Sequence, residues 1–213
     1  MNKTASDTQS ISKEIHSEIN GTLKITWIHG KKVLNSETAN YSYGSLQRVL
    51  DYALSNIYFD SKANILLLGM GGGSVIDTLI NRYNHRGSIT AVEIDPVVIE
   101  LAEKEFDIKE NKDLIIISED AMDYVANCQK TYDLIIIDLF IDLKVPSKFY
   151  KILFWDQLIK LIKPKGNVLF NAGVNLKERS KIDSIQNHYQ DEIGFIQYDN
   201  VQGTNTIVIG HKT

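Results

Sequence analysis

The stretch from Asn64 to Asp95 constrains this chain more than any other. It reads NILLLGMGGGSV, then a short polar helix, then GSITAVEID. Ile65 to Leu68 form a continuous apolar run, which suits a strand buried on both faces. The run ends at Gly69, Gly71, Gly72 and Gly73, four glycines in five positions. Residues without a Cβ reach positive φ easily and let a ligand approach the backbone. Ser74 follows as an expected N-cap for a helix carrying Ile76, Leu79 and Ile80. A second strand, Ser88 to Val92, ends in Glu93. This acid lies 20 residues beyond Gly73, the spacing of a carboxylate that takes a ribose hydroxyl.

A glycine turn alone is compatible with a ligand-free bend in a parallel sheet. The order of strand, turn, helix, strand and acid argues for a nucleotide site. The dinucleotide pattern G-x-G-x-x-G would need glycine at Ser74, and a phosphate-binding loop of the Walker type would need a lysine after the glycines. Neither condition is met. The turn therefore suits a single nucleoside with a short tail.

Two further strands end in acids. Leu114 to Ile117 is followed by Ser118, Glu119 and Asp120, and Tyr132 to Ile137 is followed by Asp138. Ligands of open α/β sheets bind outside the carboxyl ends of the strands. Glu93, Asp120 and Asp138 are therefore expected to meet the glycines in one crevice. Each could instead cap the helix that follows it. That is the preferred role for Asp95, which precedes Pro96 at a helix start.

Around this centre, residues 1–20 read as a polar arm. Ile11, Ile15 and Ile19 give it a loose helical spacing, so a frayed helix or a disordered arm is expected. Residues 21–40 hold a small hairpin: Leu23, Ile25 and Trp27 alternate with polar residues, His29-Gly30 turns, and Lys32 to Leu34 return. A lone hairpin is marginal in water. It must pack on the main body or on another subunit, so a homodimer stays open. Residues 41–213 form the main domain. It begins with a helix carrying Leu46, Val49, Leu50, Ala53 and Leu54, preceded by Tyr41 and Tyr43, which either pack or line a pocket mouth. Leu139 to Pro146 is an irregular connection suited to a mobile lid. A long helix through Phe149, Leu153, Leu158 and Ile162 stops at Lys163-Pro164-Lys165-Gly166. A strand over Val168 to Asn171, a helix over Lys177 to Gln190, and strands at Ile193 to Tyr198 and Thr206 to Ile209 close the chain. The whole is an α/β fold with a seven-stranded, mostly parallel sheet and helices on both faces.

The net charge of −4 gives no basic field for nucleic acid. Cys128 is the only cysteine, so a disulfide framework and a cysteine-rich zinc site are excluded, and no metal is expected. No apolar run approaches the roughly 18 residues of a membrane span. The first residues do not read as a secretory signal. The cytoplasm is the expected compartment.

The stretch Tyr41 to Asn171 resembles the spermidine synthase family, the polyamine aminopropyltransferases, whose fold is the Rossmann-like one of class I S-adenosylmethionine-dependent methyltransferases. The motifs that carry the resemblance are the turn Gly69 to Gly73, VEID ending at Asp95, the Asp120-Ala121 step and YDLIIIDLF ending at Phe140. The resemblance implies that the glycines Gly69, Gly71, Gly72 and Gly73 hold the cofactor together with Glu93 on the ribose and Asp120 with Ala121 at the adenine. It implies that Asp138 assists the attacking amine, and that Tyr43 and Asp142 contact the acceptor. The implied cofactor is S-adenosylmethionine or its decarboxylated form, with no metal, and the implied partner is a small amine or other small acceptor. Ordinary methyltransferases of this fold carry an acid two residues before the first glycine. Here Leu67 stands there, as in the aminopropyltransferases. Three places depart from the family. Gly72 replaces the aspartate of GGGDGG, Gly44 follows Tyr43 where Tyr-Gln is usual, and Asp138-Leu139-Phe140-Ile141-Asp142 replaces DSSDP, with Asp142 the candidate for the displaced second acid. Aminopropyl transfer to an amine is the leading expectation. Methyl transfer to a small molecule and a non-catalytic nucleoside-binding protein are the alternatives.

Overall fold

The structure is a computed structural model and describes residues 10–28, 30–37, 40–176 and 179–213. The expected turn residue His29 and residues 1–9 of the polar arm lie outside them, as does Lys177 of the expected last helix.

Strands β5 (Ile65–Leu68), β6 (Ile89–Glu93), β7 (Leu114–Ser118), β8 (Tyr132–Ile137), β9 (Ile162–Val174), β10 (Ile193–Val201) and β11 (Asn205–Lys212) form a seven-stranded sheet in the order β10-β11-β9-β8-β5-β6-β7. All neighbours from β9 to β7 are parallel, and β11 runs antiparallel to both β9 and β10. The continuous apolar runs are explained by burial on two faces. Leu66 and Leu68 face a core built with α4 (Ala121–Asn127), α5 (Ile152–Lys160) and α6 (Ser180–His188), whereas Ile65 and Leu67 face a second core built with α1 (Gly44–Ser55) and α2 (Ser74–Asp77). All four are fully buried. The helix α3 (Pro96–Phe106) is capped by Asp95, whose Oδ1 accepts the Val97 N–H at 2.9 Å, as expected.

Three local expectations are corrected. Residues 10–17 are not a helix or a loose arm: Ser10–Ser17 is β1, the outer strand of a four-stranded antiparallel sheet with β2 (Gly21–Ile28), β3 (Lys31–Asn35) and β4 (Asn40–Ser42). A spacing of four residues is a multiple of two, so it fits one face of a strand as well as one face of a helix. Ile15 uses it to reach Leu23, Ile25 and Leu34. Ser74 does not cap α2: Gly73, in left-handed conformation, takes that place, and α2 is a single turn continued by a wider π-turn at Thr78–Arg82. The expected helix through Ile162 is broken into a short 3₁₀ turn, Ser147–Tyr150, and α5. Ile162 already belongs to β9, where it pairs with Tyr132. The stop signal at Lys163–Gly166 acts as a bulge inside β9, since Leu134 next pairs with Asn167 and Lys165 has φ 62°.

Among the described residues no helix is long and apolar enough to cross a membrane.

Candidate active site

The carboxyl ends of β5, β6, β7 and β8 open into one cavity of about 320 Å³. Gly69 leaves β5 with φ 87°, and its N–H donates to the Val92 carbonyl at 2.9 Å. A Cβ here would lie 2.1 Å from the carbonyl oxygen of Asp138. Only glycine lets the turn pass over the end of β8. Gly73, with φ 86°, closes the turn against Ile108.

At Gly72, where the resemblance implies an aspartate, there is little room for a side chain. A Cβ at Gly72 would lie 2.9 Å from that of Ser42 in β4, so the N-terminal sheet occupies the space. Gly69 and Gly71 line the cavity; Gly72 and Gly73 shape the turn from behind it.

Glu93 is buried at the end of β6. Its Oε2 accepts the Gly71 N–H at 3.0 Å and its Oε1 accepts the Asp95 N–H at 3.1 Å. Burial pushes its carboxyl above the ordinary range, and these backbone donors pull against that. The residue thus ties the glycine turn to the second strand while facing the cavity. Asp120 follows β7. Its Oδ1 accepts the Met122 N–H at 2.8 Å and caps α4, and its Oδ2 is paired with the Lys148 ammonium. Ala121 lines the same wall, and Ile94, 43% exposed, stands beside Glu93.

Asp138 lies at the floor between the turn and β9. Its N–H donates to Leu68 O at 2.8 Å, and its Oδ1 accepts the Asn171 side-chain amide at 2.8 Å. Burial, reinforced by the charge of Glu93 and opposed by the Asn171 donor, raises its carboxyl to about 7. A carboxylate so placed takes a proton near neutral pH. Behind it runs a relay of amides. The Asn205 Nδ2 donates to the Asn171 Oδ1 at 3.0 Å, and the Thr204 hydroxyl donates to the Asn205 Oδ1 at 2.8 Å.

Asp142 reaches the mouth of the cavity on the loop after β8, where its Oδ1 accepts the Ser36 hydroxyl at 3.1 Å. Tyr41 lines the cavity. Its hydroxyl donates to the Asn20 Oδ1 at 2.6 Å, and the Asn20 amide donates to Asp95 at 2.6 Å. Burial and the surrounding acids raise its phenol far above the ordinary value. Tyr43 is placed elsewhere: its ring stacks on Phe106, centroids 4.7 Å apart, and it does not line the cavity. Sequence reasoning missed Asn171, Asn205, Lys148 and Asn20. Of these, Asn171 alone carried a signal, as an amide closing the apolar run Val168 to Phe170.

Among the described residues no group of three or more His, Cys, Asp or Glu side chains is placed to hold a metal ion.

Comparison with known proteins gives the chain a family. The model of the spermine/spermidine synthase domain matches residues 53–200. The chain belongs to that family. Curated relatives include the eEF1A lysine and N-terminal methyltransferase homolog of Drosophila pseudoobscura pseudoobscura, 28% identical over 70% of this chain and 23% of that protein. They also include a probable polyamine aminopropyl transferase of Bifidobacterium longum, 29% identical over 58% of this chain and 29% of that protein. The chain thus spans less than a third of the length of either. Among solved structures, a probable spermidine synthase from Corynebacterium glutamicum superposes with a TM-score of 0.77 at 17% identity, covering 95% of this chain and 80% of that one. That likeness concerns the fold.

Proposed function

We propose that this member of the spermine/spermidine synthase family is a transferase that binds S-adenosylmethionine or its decarboxylated form and moves an aminopropyl group to an amine. The observation that carries this reading is Asp138, a carboxylate held near 7 at the floor of a cavity whose other end is formed by the glycine turn, Glu93 and Asp120. The residues suit a nucleoside. Gly69 offers backbone without a Cβ, Glu93 is a strand-end carboxylate for the ribose, and Ala121 with Ile94 gives the base an apolar seat.

The sulfonium supplies an electrophilic carbon and a neutral thioether leaving group. Asp138 attracts the ammonium of the acceptor and takes its proton, and Asn171 fixes the carboxylate that does so. The freed nitrogen lone pair forms the new C–N bond as the C–S bond breaks. Gly69 and the end of β8 set donor and acceptor side by side, and such positioning supplies much of the rate.

Methyl transfer from S-adenosylmethionine is the second reading, favoured by the drosophilid methyltransferase among the relatives. Leu67, apolar and fully buried two residues before Gly69, weighs on the side of aminopropyl transfer. The experiment supplies both sulfonium donors with a panel of amines and separates methylthioadenosine from S-adenosylhomocysteine. Asp138→Asn is expected to keep donor affinity and slow transfer by roughly 10²–10⁴-fold, the weight of a positioned base. S-adenosylhomocysteine as the sole product would establish methyl transfer, and a mutant equal to wild type would remove Asp138 from the mechanism.

A further inference from the structure

The cavity carries its charge unevenly. Over β6 and β7 its lining includes Glu93, Glu119 and Asp120, and Asp138 and Asp142 follow β8. Beyond β8 the sheet continues to β9 and β11. There the lining consists of Val174 and the β10–β11 turn residues Gln202, Thr204 and Asn205, and α1 packs over this end of the sheet. Among the described residues no carboxylate lines this half. The charge that does is Arg48, on the exposed side of α1.

Arg48 has no carboxylate partner among the described residues. The acid one helical turn further on, Asp51, is paired with Arg82 and accepts the Tyr83 hydroxyl at 3.3 Å. An amine that presents its nitrogen to Asp138 can extend its other end into this half, toward a guanidinium and a set of amides and hydroxyls. A second ammonium there would meet like charge. A carboxylate would meet a planar, permanently charged donor whose geometry matches it.

We propose that the acceptor is an amine that also bears a carboxylate, read by Arg48 and the β10–β11 turn, rather than a diamine. This rests on the transfer reading for the chemical step but not for the recognition. The nitrogen at Asp138 and the carboxylate at Arg48 are separate contacts, so recognition is measurable as binding. 4-Aminobutyrate and putrescine have the same carbon chain and differ in the charge of one end.

The test measures binding of each compound to the full chain saturated with methylthioadenosine, for wild type, Arg48→Gln and Arg48→Glu. Wild type is expected to bind 4-aminobutyrate at least about 10-fold more tightly than putrescine, the scale of one charge-assisted hydrogen bond. Arg48→Gln should lose most of that preference and Arg48→Glu should reverse it. Arg48 is exposed, and unchanged thermal unfolding of both variants checks that they fold. Tighter or equal binding of putrescine by wild type, binding of neither compound, or a preference that survives Arg48→Glu overturns the inference. Product analysis in parallel samples that hold the two sulfonium donors in place of methylthioadenosine separates the two ideas. An Arg48-dependent preference without release of a nucleoside thioether refutes transfer and leaves the recognition standing. Transfer to putrescine that is indifferent to Arg48 does the opposite.

Discussion

Replacing Asn171 by leucine separates the positioning of Asp138 from its presence. The Asn171 amide gives Asp138 a hydrogen bond at 2.8 Å and is itself held by Asn205. That donor favours the ionised carboxylate and holds its value down to about 7 against burial and the charge of Glu93. A hydrogen bond to a charged group is worth about 1.5–3 kcal/mol. One pKa unit corresponds to about 1.4 kcal/mol, so its loss should raise Asp138 by ~1–2 units. The sign follows from the role proposed for Asp138: a base works deprotonated, so the rate rises with pH through its pKa, and the rising limb moves to higher pH in the variant. At pH 7 the ionised fraction falls from near half to roughly 1–10%, a loss of about 5- to 50-fold that vanishes above the new value. The assay is kcat/KM for nucleoside release between pH 5.5 and 9.5. The variant also strands the Asn205 amide without its acceptor, a cost of about 1–3 kcal/mol in stability, which urea unfolding measures separately. A limb that stays near pH 7 while the rate drops equally at every pH would show that Asn171 supports the fold and does not set the proton affinity of Asp138.

Two further substitutions probe the nucleoside half. Glu93→Ala should weaken binding of methylthioadenosine by about 1.5–3 kcal/mol, the range for a charge-assisted hydrogen bond, and calorimetry that finds unchanged affinity in the folded variant removes Glu93 from the ribose. Gly69→Ala should abolish nucleoside binding and lower the unfolding temperature, because the added Cβ falls 2.1 Å from the Asp138 carbonyl oxygen at a backbone φ of 87°; a variant with wild-type Tm and affinity would show that the turn relaxes at no cost.

The parts that were legible in the sequence are those set by local burial and by strand-end position. Ile65–Leu68 and Leu134–Ile137 announce themselves because each is buried on both faces, and Gly69 after the first and Asp138 after the second are placed by their strand-end position alone. Ser10–Ser17 was not legible as a strand. Its apolar spacing fits two periods, and the choice is made by pairing with β2, a contact that the pattern does not encode. Asn171 and Asn205 meet through the β9–β11 pairing, across 34 positions of sequence, so their joint role on Asp138 appears only once the register is known. Tyr43 shows the converse: a position before a helix suggested a pocket residue, whereas a left-handed backbone and the Phe106 ring turn it away from the cavity.

The reversed direction of β11 bears on how such a site can change over time. Every parallel strand delivers its last residues to the cavity, so altering one of them disturbs the turn that anchors the following helix. Because β11 runs the other way, the cavity receives the hairpin turn ahead of it instead, Gln202 to Asn205, near the free edge of the sheet. Gly203 itself is held to glycine by its φ of 86°, but the space around it is open, with nothing within 4 Å of an added Cβ, and lengthening a surface loop costs only about 0.6 kcal/mol per doubling. Insertions ahead of Thr204 can thus remodel the wall seen by the acceptor while Thr204 and Asn205, the glycine turn, Glu93 and Asp120 stay as they are. Under the proposed transfer, the fold keeps its donor chemistry fixed and leaves its choice of acceptor open to drift.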